Sequence, residues 1–326
     1  MGSCAKGLRV ILACAIATAL FCAVAASAWS CKSPLHDQAS LDAAANNTEA
    51  PGAQAVESSG SPSSDGGAAA EFIPSSSALP SVQDSLEAYS WDDLSAISNA
   101  ISSCASLDEA FDLAREFRII DETGSPKDHD GKTIVLADGT TATVVVAGIW
   151  SDQLETDEKA GITFCFEQCI SVRPMNSSND NTGGWEQSAM RRWMNSELLL
   201  ETPSDLACHI APVRKATPDV NETENLSSST TTIDRLWLPS FDELTYQPAQ
   251  YQLYAGAGIA ATGPNDALVK KSGGSDGTNG TPCSWWCRTP AMTHVDGFYH
   301  ISPDGHIVRV GPADIARGVA PFFCLD

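Results

Sequence analysis

Basic side chains are scarce in this chain: 19 Lys and Arg stand against 41 Asp and Glu in 326 residues, a formal charge of −22. A protein grips a phosphate backbone by releasing condensed counterions with its cations, so nucleic acid is excluded as a partner. Anionic membrane surfaces repel such a chain in the same way. Charged residues of both signs reach only 18%, which reflects long uncharged stretches. Catalytic templates are also missing. No Gly-Lys-Ser phosphate loop, no Gly-x-Ser-x-Gly elbow and no His-Glu-x-x-His helix occurs. The six histidines, at 36, 129, 209, 294, 300 and 306, are scattered, although His300 and His306 are placed to face each other across a late hairpin. Gly256 to Ala261 has dinucleotide-like glycine spacing, but Gly263-Pro264 breaks the helix that such a site requires. Beyond residue 28 no apolar run approaches the ~20 residues that span a bilayer.

What is present starts with an address. Lys6 and Arg9 precede an apolar run from Val10 to Ala26, and Ala26-Ser27-Ala28 supplies the small residues of a cleavage site. Residues 1–28 therefore read as a signal peptide. Cys31 offers a second reading, a lipoprotein signal ending at residue 30 with lipid attached to Cys31, and an uncleaved anchor is a third. All three place the body outside the cytoplasm, secreted or held on the outer face of the cell membrane only through signal or lipid. From Glu49 to Pro80, 23 of 32 residues are Ala, Ser, Gly or Pro. Too little apolar bulk is present there to offset the entropy of ordering. Residues 29–80 are thus expected to be a disordered stalk.

Order is expected from Ser81. Ser90 caps a helix with Trp91, Leu94, Ile97 and Ile101 at helical spacing, and Ser106 to Glu109 fits a capping box before Phe111, Ala114 and Phe117. The two helices predict a small helical hairpin over 81–121 that must pack on the body, 122–326. Thr133 to Leu136 and Thr143 to Val146 flank Asp138-Gly139, a tight β-hairpin. Ile162 to Val172 reads as one strand, Trp185 to Met194 as an apolar helix face, and Thr202-Pro203 as a further helix start. Thr230 to Leu238 is strand-like, Asn265 to Thr281 a polar loop, Phe298 to Ile301 with His306 to Val310 a second hairpin, and Val319 to Leu325 a closing strand. Helices and hairpins mix without alternating, so the fold class is α+β.

Met175 to Ser178, Gly183-Gly184-Trp185 and Ser188 to Asn195 carry a family resemblance, together with Ile210 to Lys215, Asp234 to Ser240, Trp285 to Pro290 and Gly318 to Leu325. These motifs resemble a bacterial domain of unknown function, family 6273. The resemblance implies an exported protein and a C-type-lectin-like fold, a mixed domain of antiparallel hairpins and two short helices. A fold analogy of that kind transfers no activity by itself.

Eleven cysteines divide into Cys4, Cys14, Cys22 and Cys31 and seven in the body. An exported chain favours disulfides. Cys165 with Cys169 and Cys283 with Cys287 are the pairs close in sequence, but four residues of extended chain separate the members by ~13 Å, beyond disulfide reach. Bonding requires a bend or pairing between segments. Their spacing also disfavours zinc. Asp152, Asp157 and Asp180, with Glu155 and Glu158, are calcium candidates by oxygen chemistry, against the alternative of solvated loops. Trp285, Trp286 and Arg288, with Asn176, Asn179 and Asn181, are ligand-binding candidates, because indole faces stack and Arg presents a planar fork. Core packing is the competing explanation for the Trp pair. The loops 152–158, 176–181 and 273–280 are expected to converge beside them.

The expected function is an exported or surface-tethered, non-enzymatic recognition module for an extracellular glycan, peptide or cell-envelope ligand, with no cofactor beyond calcium. An enzyme on a lectin-like scaffold, similar to formylglycine-generating oxidases and using Cys283 and Cys287, is the first alternative. A structural envelope protein without ligand is the second.

Overall fold

The computed structural model describes residues 79–125, 130–220, 228–245, 250–255, 264–273, 279–291 and 294–326. The signal, Cys31, nearly all of the stalk, His36, His129, the Gly256 to Ala261 segment and most of 273–280 lie outside the described residues. Phe72–Asp326 form one compact unit, distinct from Met1–Glu71.

The chain enters through α1 (Trp91–Ser102) and α2 (Leu107–Glu116). Ser90 and Asp93 make the full reciprocal box: Asp93 N donates to Ser90 Oγ at 3.1 Å and Ser90 N donates to Asp93 Oδ2 at 3.0 Å. At α2 the second arm slips by one residue. Glu109 N donates to Ser106 Oγ, but the Glu109 carboxylate accepts from Ala105 N, 2.8 Å away. Leu94, Ile97 and Ile101 are fully buried, each contributing roughly 1.5–3 kcal/mol of burial. Trp91 meets Phe164 and Phe323 edge-on, with ring centroids 6.0 and 6.3 Å away.

The strands are β1 (Gly131–Val135), β2 (Thr141–Ile149), β3 (Gln153–Leu154), β4 (Ile162–Phe166) and β5 (Ser171–Arg173) in the first half. Then come β6 (Val213–Pro218), β7 (Ser229–Asp234), β8 (Lys270–Gly273), β9 (Asn279–Cys283) and β10 (Trp285–Pro290). The last are β11 (Gly297–Ile301), β12 (Ile307–Pro312), β13 (Arg317–Val319) and β14 (Phe322–Cys324). They form sheets ordered β1-β2-β4-β14, β12-β11-β10-β13-β5, β3-β6-β7 and β8-β9. Among the described strands, pairing is antiparallel except between β10 and β13, and a single parallel bridge joins Cys169 to Ser272. The architecture is mixed α+β with mostly antiparallel sheets and short helices.

The Asp138-Gly139 hairpin forms as expected, with Gly139 at φ +86°, a conformation that a Cβ disfavours. Two expected strands divide. Residues 162–173 pass from the first sheet (β4) into the second (β5), and residues 317–324 run antiparallel alongside them, from β13 to β14. Phe166 N donates to Pro321 O and Ile170 N to Val319 O, so the ladder continues through the joint. Four residues, 167–170, face only Ala320 and Pro321 there. The surplus makes a bend that carries Cys169, and periodicity gives no sign of it.

The helix expected over 185–194 is broken. α3 (Gly184–Gln187) ends at Ser188, whose extended backbone and Oγ cap α4 (Ala189–Trp193). A π-helical turn (Met194–Leu198) and α5 (Leu199–Glu201) continue it. α6 (Ser204–Ala207) starts one residue after Pro203, and α7 (Phe241–Thr245) and α8 (Gln252–Ala255) follow. The loop expected over 265–281 contains the β8-β9 hairpin instead; its polar, glycine-rich residues mask a backbone pairing. His300 and His306 do not face each other. His300 registers with Val308, and His306 pairs with Asp304 at 2.9 Å.

One contiguous core joins helices and sheets, from Leu86 to Leu325. Ser98 of α1 locks the helix pair into it: its hydroxyl accepts from Ile162 N at 3.1 Å and donates to Leu325 O at 3.0 Å. A Cβ on Gly161 would lie 1.9 Å from Ser98 O, so the close approach of α1 depends on glycine there. No described helix is long and apolar enough to cross a membrane.

Candidate functional site

Strand alternation on β6 turns Val213, Lys215 and Thr217 inward. Lys215, 2% exposed, is a cation in the core. Its ammonium donates to Asp152 Oδ1 and meets Glu243 Oε1, both at 2.6 Å, and reaches the Tyr251 hydroxyl at 3.2 Å. Three donors thus have three partners. Its charge also lies over the Trp237 ring, 4.8 Å from the centroid.

Asp152 sits between β2 and β3. Its second oxygen accepts from Thr163 Oγ1 at 2.7 Å, and Gln250 Nε2 donates to the first at 3.0 Å. Glu243 is set by local sequence. Ser240 N donates to Glu243 Oε2 and Glu243 N to Ser240 Oγ, a capping box at the start of α7. The same carboxylate closes a bidentate pair with Arg288 on β10, with Nη2 to Oε1 at 2.7 Å and Nη1 to Oε2 at 2.5 Å. The remaining Arg288 donors go to Thr217 Oγ1, Leu238 O and Ala216 O at 2.9–3.0 Å. All five N–H groups are used.

Asp152, Lys215, Glu243 and Arg288 form a chain of alternating charge, buried and neutral in sum. Burial by itself pushes the Glu243 carboxyl up, but Arg288 and Lys215 outweigh it and hold it at about 2. Burial lowers the Arg288 guanidinium, and Glu243 more than restores it. Burial and the nearby carboxylates of Asp152 and Glu243 push the Tyr251 phenol well above its ordinary range. Lys215 and Arg288 come from two motifs that carry the family resemblance, and Ser240 from a third.

Above this floor lies a cavity of about 420 Å³, walled by Ser151, Gln153, Arg214, Asp242 and Gln250 among others. Among the described residues that line it, none is aromatic. Burial, then repulsion from Glu243, raises the Asp242 carboxyl at its edge. Arg214 is held by Asp157 at 2.9 Å and partly exposed.

The expected aromatic shelf is not formed. Trp285 and Trp286 are both fully buried. β10 is flanked by β11 and β13 and covered on both faces, so alternation exposes neither indole. Trp285 Nε1 donates to Leu268 O and Trp286 Nε1 to Arg173 O, each at 2.9 Å. Arg288 belongs to the floor, with no donor left for a ligand. Asn181 is buried, and its amide donates to the carbonyls of Ala291, His294 and Gly297. Asn176 and Asn179 hold backbone: Ala189 N donates to Asn176 and Ala313 N to Asn179.

The calcium candidates are not brought together. Asp152 is neutralised by Lys215, Asp157 pairs with Arg214, and Asp180 closes a local turn with Thr182. Among the described residues no three His, Cys, Asp or Glu side chains converge as a metal ion needs. The loops 152–158 and 176–181 are anchored on different elements, the first on β3-β6 and the second on residues 291–297 and 313. Arg191 pairs with buried Asp234 at 2.6 Å, and Arg192 is exposed. Cys287 is fully buried and its thiol pushed up by burial, whereas Cys283 meets Cys169 instead.

Sequence reading missed Lys215 and Glu243. Ser240-Phe241-Asp242-Glu243 has the capping-box pattern and an inward strand position can be counted for Lys215, but nothing local says that four charges meet.

An α+β body with a neutral, buried charge chain under a polar cavity is the class that fold and site define. The chain belongs to the family described as Domain of unknown function (DUF6273), which matches residues 146–326. No curated protein and no solved structure matches it.

Proposed function

We propose that this is an exported recognition module, carried on the Ala/Ser/Gly/Pro-rich stalk, with a body of C-type-lectin-like kind that binds a polar glycan or peptide fragment of the cell envelope. The observation that carries the reading is the cavity over the Asp152–Lys215–Glu243–Arg288 chain. Its floor charges cancel one another and are fixed by hydrogen bonds, while its walls offer two amides, a hydroxyl, the cations of Lys159 and Arg214 and the Asp242 carboxyl. Such a site favours hydrogen-bonding ligands over apolar ones. A rigid floor also lowers the ordering cost of binding. Ser151, Gln153, Gln250 and Arg214 are the contact residues of this reading; they take the place of the Trp shelf.

A glycan and peptidoglycan-fragment array probed with the full chain tests it. Gln250→Ala and Arg214→Ala each remove one hydrogen-bonding group, worth about 1 kcal/mol or roughly a fivefold loss of affinity. Binding that neither substitution changes removes the cavity as the site.

A further inference from the structure

We propose that Cys169 and Cys283 are a reactive dithiol that closes to a disulfide, stapling the β8-β9 hairpin to the joint between the two larger sheets. The sulfurs lie 3.2 Å apart although 114 residues separate them in sequence. Both segments are set for the encounter. Cys169 occupies the bend of 167–170, where Cys169 N donates to Lys271 O and Gly273 N to Cys169 O. Cys283 ends β9, opposite Lys270. Gly318 makes room, since a Cβ there would lie 2.5 Å from the Cys169 sulfur.

The surroundings distinguish the two sulfurs. Cys169 is buried and Cys283 only partly so, leaving Cys283 as the sulfur an oxidant reaches first. The hydrogen bond shared with Cys169 lowers the Cys283 thiol; burial opposes this and Lys270 assists it. The same hydrogen bond raises Cys169. By contrast Cys165, Cys287 and Cys324 are fully buried with thiols pushed up by burial. A lowered thiol that is accessible beside a second sulfur is the arrangement for thiol–disulfide exchange.

The oxidant is an external disulfide, a small-molecule disulfide such as oxidised glutathione or the disulfide of a dithiol oxidase. The Cys283 thiol loses its proton to solvent, and its thiolate attacks one sulfur of that disulfide, releasing the other as a thiolate. The Cys169 thiol then loses its proton and attacks the Cys283 sulfur of the mixed disulfide, and the second thiolate leaves. Two protons and two electrons have left the protein, and the oxidant has become two thiols. The protein sulfurs close from 3.2 Å to about 2.05 Å. This step does not depend on the ligand reading.

The full chain, reduced and then incubated with oxidised glutathione, is alkylated, digested and analysed by mass spectrometry. A peptide pair joined through Cys169 and Cys283 is expected, retained in Cys208→Ser and lost in Cys283→Ser. In Cys169→Ser the second step is blocked, so glutathione should accumulate on Cys283. The oxidised protein should melt roughly 5–10 °C above the reduced one, as closing a long loop predicts, and Cys283→Ser should abolish the difference. Complete alkylation of both residues after oxidation, in protein whose circular dichroism is that of the native fold, overturns the proposal. So does a disulfide from Cys283 to any other cysteine of the chain.

Discussion

Glu243 and Arg288, 45 residues apart in sequence, form a fully buried bidentate ion pair whose carboxylate also meets Lys215 at 2.6 Å. Glu243 meets two cations at once, and their combined attraction outweighs its own desolvation. Breaking such a pair from one side leaves charge stranded in the core. Glu243→Gln should therefore destabilise the protein by about 3–5 kcal/mol in denaturant unfolding. A loss under 1 kcal/mol would mean that water reaches the pair and that the floor is not closed.

Acid should unfold the protein in two separable stages. His300 is buried, and burial first, then the nearby Arg317, lowers its imidazole from 6.5 to about 4. The unfolded chain binds that proton first, so the stability from the neutral ring is complete above pH 6.5 and is lost as pH falls toward 4. Glu243 behaves likewise between about 4.5 and 2, because its carboxylate is stabilised in the folded state. Losing either contribution should cost on the order of a few kcal/mol. His300→Gln should flatten the upper stage and leave the lower one; a pH–stability curve with a single stage in both proteins would refute the assignment.

The helix pair should be inseparable from the body. Gly161→Ala places a methyl against the backbone of Ser98, which should cost several kcal/mol of stability by displacing α1. Limited proteolysis of the wild type should leave one fragment from about Ser81 to Asp326. A resistant fragment beginning after Val146 would show that α1 and α2 are dispensable.

Export is tested in the native host. The proposal places the body outside the cytoplasm, and a fatty-acid probe that labels the wild type but not Cys31→Ala would select lipid anchoring. Cytoplasmic protein retaining Met1 would end the proposal.

Much of the fold was legible from local signals. Ser90 and its Asp93 partner, the Asp138-Gly139 turn and the apolar spacing of Trp91, Leu94, Ile97 and Ile101 each act over a few residues, so α1, α2 and the first hairpin follow from sequence. The motifs from Met175 to Leu325 were sufficient to indicate the family. Strand division was not legible, because the residues on either side of the bend at 167–170 are both extended while their partners change from β2 and β14 to β13. Backbone direction, not residue type, decides that.

The site shows the same boundary more sharply. Sequence determined that Arg288 follows two tryptophans, that Lys215 falls on the same strand face as Val213 and Thr217 and that Ser240 precedes Glu243 by three. Only the tertiary structure decided that these side chains meet Asp152, that β10 is covered on both faces so its indoles are core, and that Cys169 finds Cys283 across 114 residues. Local propensities act through backbone conformation within a turn or two, whereas burial, charge pairing and thiol proximity arise between segments that only packing brings together.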